Sequence, residues 1–394
     1  MPHYKYLIVG GGMTADAAVG GIREVDAERP IGLISEEQSP PYNRPPLSKG
    51  LWKGEALETI WRGTEKKGVT LHLGRKAEFL DPASKTVRDN QGGVYTFEKL
   101  LLATGVTPRR LPFDDGSVIY FRTLEDYQNL RALTERGRRF AVIGGGFIGW
   151  EVAAALAMNG NEVVMFFPEE AIGARLYPPD LARFLSGYYR EKSVNVVSES
   201  AVIGLEKRAQ GTVVKTRGHG EFPVDGVVAG IGVTPEVELA RSAGLKVDNG
   251  IIVDEFLRST DPNIYAAGDV ANFSNSALGS RLRVEHEDAA NSMGREAGRG
   301  MAGEASPYRH LPFFYSDLFD LGYEAVGELD PHLEIVADWK EPHREGVVYY
   351  LREARVRGVL LWNVWGQVDE ARRLIAAPGP LRAADLKGRL PKAQ

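Results

Sequence analysis

The stretch FAVIGGGFIGWEVAAAL, residues 140–156, reads as an apolar strand, a glycine turn and a helix opened by small residues. Gly144, Gly146 and Gly149 set out G-x-G-x-x-G. The first glycine permits the tight turn, the second lets the backbone approach a pyrophosphate, and the third lets helix and strand pack closely. The helix that starts there meets an anion with unpaired N–H groups and the positive end of its dipole. Gly160 ends the helix, the strand EVVMFF follows, and Glu169 stands about 20 residues past the loop, where an acid holds a ribose hydroxyl. An acid at that place repels a 2′-phosphate and favours NADH over NADPH. Arg175, a few residues on, tempers that preference without reversing it.

The same unit opens the chain. In YLIVGGGMTADAAVGGI, residues 6–22, an apolar strand leads into Gly10, Gly12 and Ala15, and a small-residue helix follows. The strand IGLIS then ends at Glu36, again about 20 residues beyond the loop. One glycine fingerprint is often only a tight strand–helix turn. Two complete units, each with strand, loop, helix, strand and acid, point to two dinucleotides.

Further punctuation agrees. LLATGVTPR (101–109) is a strand ending in a turn at Thr104-Gly105, and GVVAGIGVTPEVELA (226–240), with Gly232, echoes it after the second unit. NIYAAGDVAN (263–272) is an apolar strand ending at Gly268-Asp269, with a helix expected to begin near Glu285. Asp269 therefore stands at a strand C-terminus, where open α/β sheets bind their ligands.

Composition narrows the chemistry. The 394 residues suffice for two or three domains, and 43% hydrophobic with 26% charged residues is ordinary for a globular chain. A net charge of −5 gives no pull toward nucleic acid. There is no cysteine, which excludes a disulfide, a thiolate metal site, a Cys nucleophile and a Cys-ligated cluster. Electron chemistry must then fall to a bound cofactor. The seven histidines lack ligand spacing, so no metal is expected. No apolar run is long enough to span a bilayer. With a strand starting at Tyr4 or Tyr6 there is no room for a targeting segment, and the expected location is cytoplasmic.

The two loops, the ATG turn, its echo and the late Gly-Asp resemble the glutathione-reductase-type FAD/NAD(P)H oxidoreductases. PPYNRPPLSKGLW (40–52) is similar to their Cys-free branch, which holds the Rieske-system ferredoxin reductases and the apoptosis-inducing-factor proteins. FFPE (166–169), VEHEDAANSMGREAGRGMAG (284–303) and the strand-rich last third favour the apoptosis-inducing-factor side, as a prokaryotic-type relative. The resemblance implies an α/β fold with two Rossmann-like domains and an α+β C-terminal domain. The FAD domain would take 1–116 and 246–308, an inserted NADH domain 117–245, and the C-terminal interface or dimerisation domain 309–394.

It also implies roles. The first loop binds FAD with Gly10, Gly12, Ala15 and Glu36, joined by Arg44, Lys49, Thr104, Gly105, Gly268, Asp269, Glu285 and His286. The second binds NADH with Gly144, Gly146, Phe147, Gly149, Glu169 and Gly232. Lys49 pairs with Glu151 near flavin N5, His286 lies toward the flavin pyrimidine, and Phe147 and Tyr315 border the face where nicotinamide stacks. Trp150 stands where this family usually has a small residue, and the sequence assigns it no role. The implied activity is hydride transfer from NADH to FAD, then electron transfer to a ferredoxin, a quinone or another acceptor. The alternative is a redox-gated binding protein, in which reduction by NADH and a charge-transfer complex switch partner affinity or a monomer–homodimer equilibrium.

Overall fold

Strand His3–Val9 runs straight into the first glycine turn, and its neighbours pair with it on both sides. Ile31–Ile34 lies parallel on one side and Val94–Leu102 parallel on the other. These relationships come from a computed structural model that describes residues 1–114, 116–209 and 211–390. The chain folds as two units, Met1–Asn43 with Glu58–Thr107 and Thr234–Pro312, and Arg44–Leu57 with Pro108–Val233 and Phe313–Gln394. The last four residues of the second span lie outside the described set.

In the first unit the sheet continues from Ile31–Ile34 to Val69–His72. The long strand Val94–Leu102 serves two partners. Its start pairs with the hairpin strand Thr86–Asp89, and its end pairs parallel with Ile264–Ala266. Tyr6, Leu7, Ile8, Leu100, Leu101 and Leu102 have no exposed surface, because this part of the sheet is covered on both faces. Helix Met13–Val25 crosses helix Glu287–Met301 with almost no side chain between them. A Cβ on Gly294 would lie 2.4 Å from the Thr14 carbonyl oxygen, and one on Gly298 would lie 2.2 Å from that of Ala18. That bare crossing fixes where the second helix begins.

In the second unit five parallel strands run in the order Val194–Val197, Glu162–Phe166, Arg139–Ile143, Gly226–Ala229 and Val118–Ile119. A three-stranded antiparallel sheet, Val202–Lys207 to Gly220–Val224, is built between the last two large strands in sequence. The C-terminal part is a separate antiparallel sheet of five strands, from Phe313–Leu318 to Arg355–Trp362, followed by helix Val368–Ala376. The fold class is therefore α/β with two Rossmann-like sheets and an α+β C-terminal part. Segment Arg44–Leu57 packs with this unit through Trp52. The Trp52 indole N–H donates to the Leu47 carbonyl, its ring meets Tyr127 edge-on, and the Arg131 guanidinium lies 4.8 Å from the ring centre.

Candidate functional site

The two glycine loops have the same internal geometry. The Gly10 N–H donates to the Ile34 carbonyl and the Gly144 N–H to that of Phe166, both at 2.8 Å. Gly10 has φ +120° and Gly144 φ +121°, a conformation that side chains rarely adopt. A Cβ on either would strike a neighbouring strand's end, 2.1 Å from the Ala103 oxygen and 2.3 Å from the Gly230 oxygen. Gly12 and Gly146 differ from these in an informative way. A Cβ on either would meet nothing within 4 Å. Each is also the N-cap of its helix, with no side chain capping the first-turn N–H groups. Those donors therefore face open space on a bare backbone, which suits a pyrophosphate. Both cradles fit a dinucleotide.

In the first unit, Ala15 is fully buried on the helix side of the loop. Thr104 donates to the Glu236 carbonyl at 2.7 Å, and the Gly105 carbonyl accepts the Glu236 N–H, so the ATG turn is tied down. Gly268 and Asp269 form a single 3-10 turn after strand Ile264–Ala266, pressed so close to Thr14 that a Cβ on Gly268 would lie 2.2 Å from its hydroxyl. Glu36 is exposed and lies 3.3 Å from the Lys76 ammonium. Glu285 is paired with Arg283 at 2.6 Å. His286 is the N-cap of helix Glu287–Met301. It retains some accessible surface, yet burial pushes its imidazole down to about 4, against the opposing pull of Asp269 and Asp288.

Behind the first loop sits a buried charge that sequence reasoning missed. Asp16, in the first turn of the loop's helix, is 2% exposed and is surrounded by donors. Arg62, Lys67 and the Thr64 hydroxyl bond its carboxylate at 2.6–2.7 Å, and Arg62 also reaches Asn43 and Asn291. Burial raises the Asp16 pKa, but the donors outweigh it and hold the group below the ordinary carboxylate range. One acid with two cations leaves the helix start electropositive, which favours an anionic ligand.

In the second unit, five of the residues singled out in the sequence come together. Lys49 Nζ lies 2.7 Å from Glu151 Oε1 and 5.3 Å from the centre of the Tyr315 ring. Glu151 is 5% exposed. Two hydroxyls complete its shell. Ser48 donates to Oε2 and Ser316 to Oε1, both at 2.6 Å. Phe147 is half-buried and held edge-on by Trp150 and Phe314, with ring centres 5.1 and 5.4 Å away. Trp150 is fully buried, stacked on Tyr177, and its indole N–H donates to Ser316 at 3.0 Å. Ser48 and Ser316 were overlooked although each adjoins a residue already chosen. A buried carboxylate takes up to about four hydrogen bonds, so neighbouring hydroxyls were the available signal.

The remaining residues lie apart from that group. Arg44 donates to the Arg122 carbonyl at 2.9 Å. Gly149 packs under the loop, where a Cβ would lie 2.0 Å from the Gly144 oxygen. The Gly232 carbonyl accepts the Arg109 N–H at 3.0 Å. Glu169 follows strand Glu162–Phe166 and forms an ion pair with the exposed Arg175.

With two dinucleotide cradles described, comparison with known proteins decides the family. The profile "Pyridine nucleotide-disulphide oxidoreductase" matches residues 4–294. The chain belongs to that family. "Apoptosis-inducing factor, mitochondrion-associated, C-term" matches 297–345 and 337–377 of this family member. The 5,5'-dehydrodivanillate O-demethylase ferredoxin reductase subunit of Sphingobium sp. is 34% identical, covering 90% of this chain and 89% of its own. The ferredoxin–NAD(+) reductase component of the anthranilate 1,2-dioxygenase system of Burkholderia cepacia is also 34% identical, covering 96% and 97%. Among solved structures, the covalent putidaredoxin reductase–putidaredoxin complex aligns with TM-score 0.89 and 29% identity over 95% of this chain and 94% of that one. This oxidoreductase is thus a NAD(P)H-dependent flavoprotein using FAD, of the branch without a cysteine relay. Among the described residues no helix is long and apolar enough to cross a membrane, and no three His, Asp or Glu side chains are grouped to hold a metal.

Proposed function

We propose that this oxidoreductase oxidises NADH in preference to NADPH and delivers the electrons to a small ferredoxin. The observation that carries the reading is the pair of matching glycine cradles, each with a bare second glycine at an uncapped helix start. The ferredoxin is suggested by the relatives described above, two of which are named as ferredoxin reductase components. FAD, when bound, supplies the chemistry that turns a two-electron hydride donor into a source of single electrons.

The chain's own residues bind, orient and shield. In the first unit, Gly10, Gly12 and Ala15 would hold the FAD pyrophosphate at a helix start made electropositive by Arg62 and Lys67. Glu36 would take its ribose hydroxyls, with Thr104, Gly105, Gly268, Asp269, Glu285 and His286 along the rest of the cofactor. Residues 1–116 and 246–308 would form this FAD domain, and 117–245 the NADH domain. There Gly144, Gly146 and Gly149 would seat the NADH pyrophosphate, and Glu169 the adenosine ribose. Phe147, braced by Trp150 and Phe314, would border the nicotinamide. Glu151 holds the Lys49 ammonium in one place, and Lys49, with Arg44, would face the flavin. No acid or base on the chain is needed for hydride transfer, so orientation and exclusion of water are what these residues contribute.

The test is to mix the FAD-loaded protein with NADH or NADPH in a stopped-flow cell, then add [2Fe–2S] ferredoxins or quinones. Fast bleaching by NADH, slower bleaching by NADPH and rapid reoxidation by at least one ferredoxin are expected. Reduced protein that reoxidises with no acceptor, yet sediments as a dimer instead of a monomer, would replace this reading with the redox-gated one.

A further inference from the structure

We propose that Trp150 is a positioning residue for Lys49, acting through Ser316 and Glu151. The proposal rests on the reading that Lys49 faces the flavin. Its basis is the direction of a chain of hydrogen bonds. The Trp150 indole N–H can only donate, and it donates to Ser316 Oγ at 3.0 Å. A hydroxyl has a single proton. With one lone pair of Ser316 occupied by the indole, its proton is directed to the other side, where Glu151 Oε1 lies at 2.6 Å. The same Oε1 accepts from Lys49 at 2.7 Å, while Ser48 holds Oε2.

Each link is immobilised. Trp150 and Ser316 have no exposed surface. The Trp150 ring is stacked on Tyr177 and met edge-on by Phe147, and its carbonyl accepts the Tyr189 hydroxyl at 3.0 Å. The carboxylate therefore cannot turn without leaving a buried donor or acceptor unpaired. Lys49 is the movable end of the chain, since an ammonium on four methylenes rests wherever its acceptor is. The indole thus sets where the positive charge stands, although it is not itself next to that charge. A phenylalanine at 150 would fill most of the same space but would free the Ser316 proton to point elsewhere.

The experiment compares Trp150→Phe, Ser316→Ala, the double variant and Lys49→Met as FAD-loaded proteins. The readouts are flavin midpoint potential and the rate of flavin bleaching by NADH. Trp150→Phe should lower the potential and slow bleaching about tenfold with little change in NADH affinity, the loss of one charge-directed hydrogen bond. Ser316→Ala should do the same, and Ser316→Thr, which keeps the hydroxyl, should restore most of it. The double variant should match either single change, because both break one chain. In a Lys49→Met background neither change should shift the potential. Additive effects, or an unchanged potential in both single variants, would overturn the proposal while leaving the proposed function standing. If Trp150→Phe fails to fold, Ser316→Ala still keeps the proposal falsifiable, since an unchanged potential there would break the only route from the indole to Lys49 that it invokes. Wild-type protein that NADH does not bleach would instead overturn the proposed function.

Discussion

Arg175 forms an ion pair with Glu169, the acid that would hold the adenosine ribose. The pair joins the group that would reject a 2′-phosphate to a group that would welcome one. Arg175 is 79% exposed, so it can exchange a carboxylate for a phosphate at little cost. We expect Arg175→Ala to leave NADH kcat/KM within about threefold and to lower NADPH kcat/KM about tenfold. Glu169→Arg should weaken NADH use and improve NADPH use. Steady-state kinetics with both nucleotides check this; unchanged NADH kinetics in Glu169→Arg would remove Glu169 from the ribose site.

Glu151→Ala strands the Lys49 ammonium in a nearly closed pocket. Breaking one half of a buried pair costs about 3–5 kcal/mol, so urea unfolding should show a loss of that order. Removing both charges with Lys49→Met and Glu151→Gln should recover most of the stability. It should not recover the rate of flavin reduction, which separates the structural role of the pair from its functional one.

Asp16 is expected to couple acid sensitivity to retention of FAD. Its folded pKa is depressed, so its stabilising contribution is present above about pH 4, its unfolded value, and is lost as pH falls further. Asp16→Asn should destabilise the protein at neutral pH and flatten the acid limb of its stability curve. Leaving Arg62 and Lys67 without their acid should also misplace the first helix turn, which a faster release of FAD at pH 7 would register.

His286 also makes the fold acid-sensitive, over a higher pH range than Asp16. Its folded pKa of about 4 lies below an unfolded value of about 6.5. The unfolded chain therefore binds more protons between these values, and stability falls as pH drops from 6.5 toward 4. His286→Gln should remove that part of the slope. Urea midpoints at pH 7, 6 and 5 give the measurement, and an unaltered slope would mean the imidazole is not desolvated.

What the sequence made legible was local. Both loops, the Thr104-Gly105 turn, the Gly268-Asp269 turn and the C-terminal strands are written in short stretches whose small or apolar residues have one physical use. The Lys49–Glu151 pair came from resemblance alone, since 102 positions separate the two residues. Contacts made by unremarkable residue types were not legible. Ser316 reaches Glu151 across 165 positions, and Arg62 reaches Asn291 across 229. Nothing in a single serine or asparagine announces a partner so distant. Trp150 was conspicuous yet unreadable, because its role depends on the direction of a proton on a residue in another sheet.

The bare crossing of helices Met13–Val25 and Glu287–Met301 has a consequence for how this protein can change over time. Spacing there is set mainly by peptide against peptide, with the Ala17 methyl beside Gly294 as the one side-chain atom in close reach of the two glycines. Elsewhere in the core a lost methylene can be offset by a gained one nearby, and a lineage can drift through such exchanges. At Gly294 and Gly298 no compensating exchange exists, since a backbone oxygen cannot be made smaller. These two positions behave as fixed points around which the rest of the first unit is free to vary.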